Sequence, residues 1–321
     1  MFEKEFKTLD EQIEILKSKG LTIKDNDYTK EVLLRENYFF LNGYRHLFLE
    51  PNNKKQFLPG ARFEELYSLF LFDRTLRNII FKYLLVIENN LKSITSHVLS
   101  KKYGYKEKDY LKAKNFTNDN TRQRQVNDLI SKMKRQIRIN GAQHSATEHY
   151  SSQYGYIPMW ILVKVLSFGI VSELFSILKE SDQRDIAKIY NVDVEDLLNY
   201  LPMLANYRNL CAHEDILYEN KTQKEIDNTV FHKLLKIPKD DEGVYKYGKN
   251  DLFALIVILK QMLRKEDFSN LIMEIDNALS ALSYNLLSIK VDAVIDRMGF
   301  PQNWKDISNI ERSVDKDEET E

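Results

Sequence analysis

Apolar residues return every three or four positions along most of this chain. The clearest run covers residues 63–102, where Leu66, Leu69, Phe70, Leu76, Ile79, Ile80, Tyr83, Leu84 and Ile87 keep the 3.6-residue period of one long helix, or of two joined by a bend. Asp73, Arg74, Arg77, Glu88 and Lys92 fall on its charged face; the first three read as a surface ion-pair network, and Glu88 as a structural or groove-facing residue. Upstream, residues 8–19 read as a helix opened by Thr8 or Asp10 and stopped by Gly20, and 27–41 as another that ends near Asn42-Gly43. Phe57-Leu58 offers a short extended piece in the loop that follows. Residues 160–179 read as an amphipathic helix broken or bent at Ser167-Phe168-Gly169, with Trp160 as a core anchor, and 182–190 as a short helix. A helix then carries YLPMLANYRNLCAHED, with Pro202 expected in its first turn. Asn250-Asp251 caps the apolar run LFALIVIL, and 268–289 gives a further helix. The pattern is all-α, with roughly eight to ten helices.

Composition supports this reading. Ten Gly and six Pro in 321 residues are too few for a turn-rich sheet protein, and 43% hydrophobic content is enough for a large core. Residues 1–300 read as one all-helical domain, with a basic, Tyr-containing insertion at 101–140, helices at 250–290 and an acidic, disordered tail at 301–321. Cys211 is the only cysteine, so no intrachain disulfide can form, which fits a reducing compartment. The N-terminal MFEKEFKTLDEQ lacks a signal-peptide apolar run and no eighteen-residue apolar stretch exists, so a cytoplasmic protein without membrane contact is expected.

Chemistry concentrates at Arg208-Asn209-Leu210-Cys211-Ala212-His213. Asn209 and His213 are i,i+4 neighbours on one helical face, with Asn206 nearly in line, and the Arg208 side chain is long enough to reach around. An imidazole that moves protons near neutral pH beside a guanidinium that holds phosphate oxygens suits phosphodiester chemistry without a metal. The plainer reading is a histidine favoured by the helix dipole at a C-terminus. Cys211 reads as a small buried side chain. His144 and His149 lack partners at zinc-ligand spacing, so no metal site and no cofactor is expected.

The net charge of −1 hides a local excess. Between Lys101 and Asn140 twelve cations oppose four acids, and Tyr103, Tyr105, Tyr110 and Phe116 interleave with them. Lys101, Lys102, Tyr103, Tyr105, Lys112, Lys114, Arg122, Arg124, Lys132, Lys134, Arg135 and Arg138 are the candidate RNA contacts, cations for phosphates and rings for bases. The alternative is a solvated basic helix beside a mobile loop.

Several segments, in order, resemble the bacterial Abi-like (abortive infection) proteins of the AbiD/AbiF type. They are ENYFFLNGYRHLF from Glu36, FEELYSLFLFDRTLRNIIFKYLLVIENNLKS from Phe63, EHYSSQYGYIPMWILVKVLSFGIVSELF from Glu148, YRNLCAHEDILY from Tyr207 and GKNDLFALIVILKQML from Gly248. Their order and spacing over about residues 10–265 carry the resemblance. That family is similar to the HEPN group, whose ribonucleases carry Arg-polar-x-x-x-His on a helix. The resemblance implies a helical bundle that pairs as a two-fold homodimer, metal-independent RNA cleavage leaving a 2′,3′-cyclic phosphate, and association with a small structured non-coding RNA. Only Arg208, Asn209 and His213 match the nuclease motif and carry over as catalytic; Asn206, Glu214 and Glu88 are supporting positions. The chain departs from its relatives at Glu214, where they often have a second histidine, and at Lys92, where they usually have arginine. The competing readings are a non-catalytic RNA-binding module that uses the same basic stretch, and a helical protein-interaction scaffold with Arg208 to His213 packed at a dimer seam.

Overall fold

The structure is a computed structural model that describes residues 5–140 and 144–311. The helical expectation holds: fifteen α-helices and a two-stranded sheet are formed among the described residues. Helix α1 (Leu9–Ser18) starts at a capping box, in which the Thr8 hydroxyl accepts from Glu11 N and the Glu11 carboxylate accepts from Thr8 N. The run expected as one helix at 27–41 is two. Helix α2 (Asn26–Glu36) stops at Asn37, which takes φ +67°, and the Asn37 side chain accepts from Phe39 N to start α3 (Tyr38–Gly43). Asparagine tolerates this left-handed conformation through local hydrogen bonding, so apolar periodicity continues across a break in the backbone. A 3₁₀ turn (Tyr44–Phe48) leads to β1 (Leu49–Glu50), paired antiparallel with β2 (Asn53–Phe57), which takes in Phe57 of the expected extended piece but not Leu58.

Helix α4 (Phe63–Tyr103) runs unbroken for 41 residues, about 60 Å, because its sequence contains no Gly or Pro until Gly104 ends it at φ +88°. Then follow α5 (Glu107–Tyr110), α6 (Gln123–Asn140), α7 (Ser145–Tyr154), α8 (Met159–Val165), α9 (Phe168–Ser176), α10 (Glu180–Tyr190) and α11 (Val194–Ala212). The break between α8 and α9 falls at the predicted place, where the Ser167 hydroxyl caps α9 through Ile170 N. After α12 (Val230–Leu234), Asp251 caps α13 (Leu252–Met262), and α14 (Lys265–Ser283) and α15 (Val291–Arg297) complete the order. The α14 helix ends six residues before the expected 289, at Ser283.

The long α4 is the spine: α14, α8, α11 and α10 all pack on it. Every residue of α13 from Leu252 to Lys260 is buried, so the most apolar run of the chain forms an interior helix. Four expectations are corrected here. Pro202 lies in the interior of α11, on its solvent face, and not in its first turn. Trp160 is 43% exposed, because α8 turns Ile161, Leu162 and Val163 inward instead. Asp73 and Arg77 are buried, not a surface pair. Order continues past residue 300, where Trp304 and Ile307 pack in a 3₁₀ turn (Trp304–Asn309); the acidic DKDEETE lies outside the described residues.

Candidate functional site

Helix α11 presents Pro202, Asn206, Asn209 and His213 along one exposed row, at steps of four, three and four residues. Its other side buries Leu197, Leu201, Leu204, Tyr207 and Cys211. The side chains of Asn206, Asn209 and His213 make no hydrogen bond among the described residues, so their polar atoms face solvent. His213 is the C-cap of the helix, its N–H bonded to the Asn209 carbonyl at 3.0 Å. Glu214 at φ +58° then turns the chain sharply into a strap, residues 214–218.

Arg208 leaves the row toward α4. Its Nε donates to Glu88 Oε2 at 3.2 Å, and its guanidinium lies 5.6 Å from the Phe81 ring centre. Glu88 is 5% exposed and its other oxygen accepts from Lys92 Nζ at 2.7 Å. One buried carboxylate thus aims the arginine through a single nitrogen, while both Nη groups have no hydrogen-bond partner among the described residues. Glu88 is therefore in contact with the motif, and Lys92 completes that contact.

The strap is held by a buried polar cluster. The Asp73 carboxylate accepts from Leu217 N (3.1 Å), Tyr218 N (2.7 Å), the Tyr44 hydroxyl (2.7 Å) and Arg77 Nη1. Arg77 Nη1 also donates to the Asp215 carbonyl at 3.3 Å. Burial pushes the Asp73 carboxyl above the usual range, against the pull of Arg77, the two strap N–H groups and Tyr44. Gly43 lies against the strap: a Cβ there would stand 2.7 Å from Ile216 Cδ1, the tip of a side chain that can turn aside.

A cavity of about 730 Å³ opens between the α2–α3 elbow and His213, lined by Phe39, Phe40, Arg45, Arg74, His213 and Glu214 among others. Phe39 is 76% and Phe40 56% exposed, which costs hydration and leaves two rings facing a groove. Arg74 holds Glu36 at 2.7 Å and Glu214 at 3.7 Å, so the Glu214 carboxylate is answered by a guanidinium. Nothing in the local pattern around 36–48 marks it as a neighbour of the motif; the contact forms between segments about 170 residues apart. Cys211 is buried and its thiol is pushed up to about 12 by that burial, which leaves it inert as a nucleophile.

The basic stretch divides. Lys102 and the Tyr103 hydroxyl both bond the fully buried Asp182, Arg122 donates to the Ser176 carbonyl at 2.7 Å, and Lys132 pairs with Glu173 at 2.8 Å. These four are occupied in holding α4, α6, α9 and α10 together, a role that local charge counting cannot distinguish from a ligand surface. Lys112 pairs with Asp109 at 3.1 Å and Arg124 lies 4.0 Å from Asp128. Lys101, Lys114, Lys134, Arg135 and Arg138 are exposed and have no ion pair among the described residues, and Tyr105 is 44% exposed. The stretch also contributes to the core, since α6 buries Val126, Leu129, Ile130 and Met133.

An all-α molecule with a polar, solvent-facing Arg-Asn-x-x-x-His row is the class these features define. The chain matches the family model of the Abi-like proteins over residues 31–219, more than half its length, and belongs to that family. Membership suggests a part in abortive infection, a defence against phage. No curated protein and no solved structure matches the chain. No helix among the described residues is long and apolar enough to cross a membrane.

Proposed function

We propose that this protein is a metal-independent RNA endonuclease of phage defence that acts as a homodimer. The observation that carries the reading is the open row of Asn206, Asn209 and His213, flanked by an Arg208 whose Nη fork is unoccupied. A packed structural histidine would be buried and bonded; this one faces solvent at the mouth of a cavity. The RNA 2′-hydroxyl loses its proton to one imidazole and its oxygen attacks the adjacent phosphorus. The 2′-O–P bond forms as the P–O5′ bond breaks, and a second imidazole delivers a proton to the leaving 5′-oxygen. Arg208 holds the non-bridging oxygens as charge builds on them, and Asn209 orients phosphate or imidazole. The products are a 2′,3′-cyclic phosphate and a 5′-hydroxyl. One motif histidine per chain supports the dimer, because acid and base then come from His213 of two protomers. A small structured RNA bound to the same protein would govern the alignment of the two, since a misplacement of an ångström costs about a hundredfold in rate.

The test is incubation of the purified protein with single-stranded RNA in EDTA beside His213→Ala and Arg208→Ala. Cleavage should fall at least about a hundredfold in both variants, and 2′-deoxy substitution at the scissile nucleotide should abolish it. Dependence on added metal, or equal cutting by the variants, would refute the mechanism. One observation favours a non-catalytic RNA-binding module instead: Arg208 already has a carboxylate partner in Glu88. Salt-sensitive RNA binding without product would decide for that reading.

A further inference from the structure

The other end of α4 carries a surface that the motif does not explain. Six rings follow one another there: His149 to Tyr150 (5.5 Å between ring centres), Tyr150 to Tyr154 (5.3 Å), Tyr154 to Tyr156 (6.2 Å), Tyr156 to Tyr105 (5.7 Å) and Tyr105 to Trp160 (5.9 Å). They come from the α4–α5 junction, from α7 and the turn after it, and from α8. Four are exposed to water: His149, Tyr154 at 56%, Tyr105 at 44% and Trp160 at 43%. Exposed aromatic area on this scale is unfavourable unless it meets a partner.

Cations adjoin the rings. Lys106 Nζ sits 4.8 Å from the Tyr156 ring centre and 5.8 Å from that of Tyr105. Across the short α5 lies a cleft of about 420 Å³ whose lining includes Lys108, Lys112 and Lys134. The cleft's one lining acid, Glu107, accepts from Ile157 N, and Asp109 on the same short helix pairs with Lys112. Lys108 and Lys134 are exposed with no ion pair among the described residues. Glu148 stands next to His149 at one end of the row. Every ring in the row carries a polar atom, a hydroxyl, an indole N–H or imidazole nitrogens. Ring faces beside unanswered ammonium groups match the two halves of a single-stranded polynucleotide, bases and phosphates, better than they match a protein surface.

We propose that this ladder is a binding platform for single-stranded RNA, with bases stacked on Tyr105, Tyr154, Tyr156 and Trp160 and phosphates drawn to Lys106, Lys108 and Lys134. It rests on the RNA reading of the chain but not on the cleavage chemistry. From Glu88, which touches Arg208, to Tyr103 at the end of α4 is fifteen residues, about 22 Å. The platform therefore holds a strand several nucleotides away from His213.

The chain supplies its own probe. Trp160 and Trp304 are its two tryptophans, and Trp304 is 2% exposed, so quenching by a bound strand reports on Trp160. The uncleaving His213→Ala protein would be titrated with a twelve-nucleotide oligouridine RNA and with a duplex RNA of the same length. Saturable quenching by the single strand, weakened by salt, is expected. Anisotropy of a labelled strand should show Tyr154→Ala and Trp160→Ala binding about tenfold more weakly, with circular dichroism confirming that both fold. Oligouridine binding that leaves the emission unchanged, equal binding by both variants, or equal quenching by duplex would overturn the proposal. So would a change of sedimenting species in Trp160→Ala with RNA affinity intact, which would make the ladder a protein interface. The two readings separate cleanly: quenching without cleavage by the wild-type protein refutes the nuclease alone, whereas cleavage with undiminished binding by the ladder variants refutes the platform alone.

Discussion

Asp73→Asn is the sharpest probe of how the fold holds His213. Asp73 is fully buried and four donors converge on its two oxygens: Arg77, Tyr44, and the strap N–H groups of Leu217 and Tyr218. The amide is nearly isosteric, so no cavity forms, but it carries no charge and has one acceptor oxygen where the carboxylate has two. Arg77, 2% exposed, then lacks its counter-ion, and its amide-facing neighbours lose an acceptor. Removing one partner of a buried ion pair costs about 3–5 kcal/mol, and the retained oxygen places this substitution near the lower end. For a chain of this size that is a fall in Tm of roughly 4–6 °C. Thermal unfolding followed by circular dichroism measures it, and hydrogen exchange at the Leu217 and Tyr218 amides should accelerate selectively, because those N–H groups anchor the strap. On the proposed nuclease reading, RNA cleavage should drop by about ten- to a hundredfold, since the strap that follows His213 loses its anchor and the imidazole is displaced. A variant that melts within 2 °C of the parent, with both amides equally protected, would refute the assignment of this cluster as the clamp.

Two further outcomes test other parts of the fold. Burial pushes the Asp251 carboxyl up to about 6, so the folded chain keeps a proton that the unfolded chain releases near pH 4. The contribution of this group to stability is then greatest below pH 4, declines by the order of 3 kcal/mol as pH rises to 6, and is level above that; Asp251→Asn, which preserves the helix cap, should remove that slope from denaturant midpoints measured between pH 4 and 7. Gly299 has φ +77° and a Cβ there would stand 2.3 Å from the Asp251 carboxylate, itself pinned by Gly248 N and Ala254 N, so Gly299→Ala should destabilise by more than about 2 kcal/mol. Gly43→Ala meets only the flexible tip of Ile216 and should cost less than about 1 kcal/mol in the same urea titration; equal losses would contradict the steric account.

Much of this was legible because helices are local. The 63–102 period became α4, the Thr8 cap and the Ser167 break fell where the residues placed them, and Arg208, Asn209 and His213 were recognisable by type and spacing alone. Misreadings arose where burial depends on distant segments. Asp73 and Arg77, four residues apart among charged neighbours, look like a solvated pair; they are interior because Tyr44 and the strap close over them from 29 and more than 130 residues away. Trp160 looks like a core anchor until α8 chooses which of its faces meets α4, and the choice goes to the aliphatic side. Lys102, Tyr103 and Arg122 look available to RNA, yet the α10 carboxylate of Asp182 and the end of α9 claim them.

Periodicity, caps and breakers act within a turn or two of chain, and so residue order alone settled the helical class and most element boundaries, and singled out the candidate row on α11. Which polar groups became buried anchors, which rings were left in water, and which cavity opens beside His213 followed from the packing of helices remote in sequence. A side chain's exposure is set by its neighbours in space, and those neighbours are chosen only when the whole core closes.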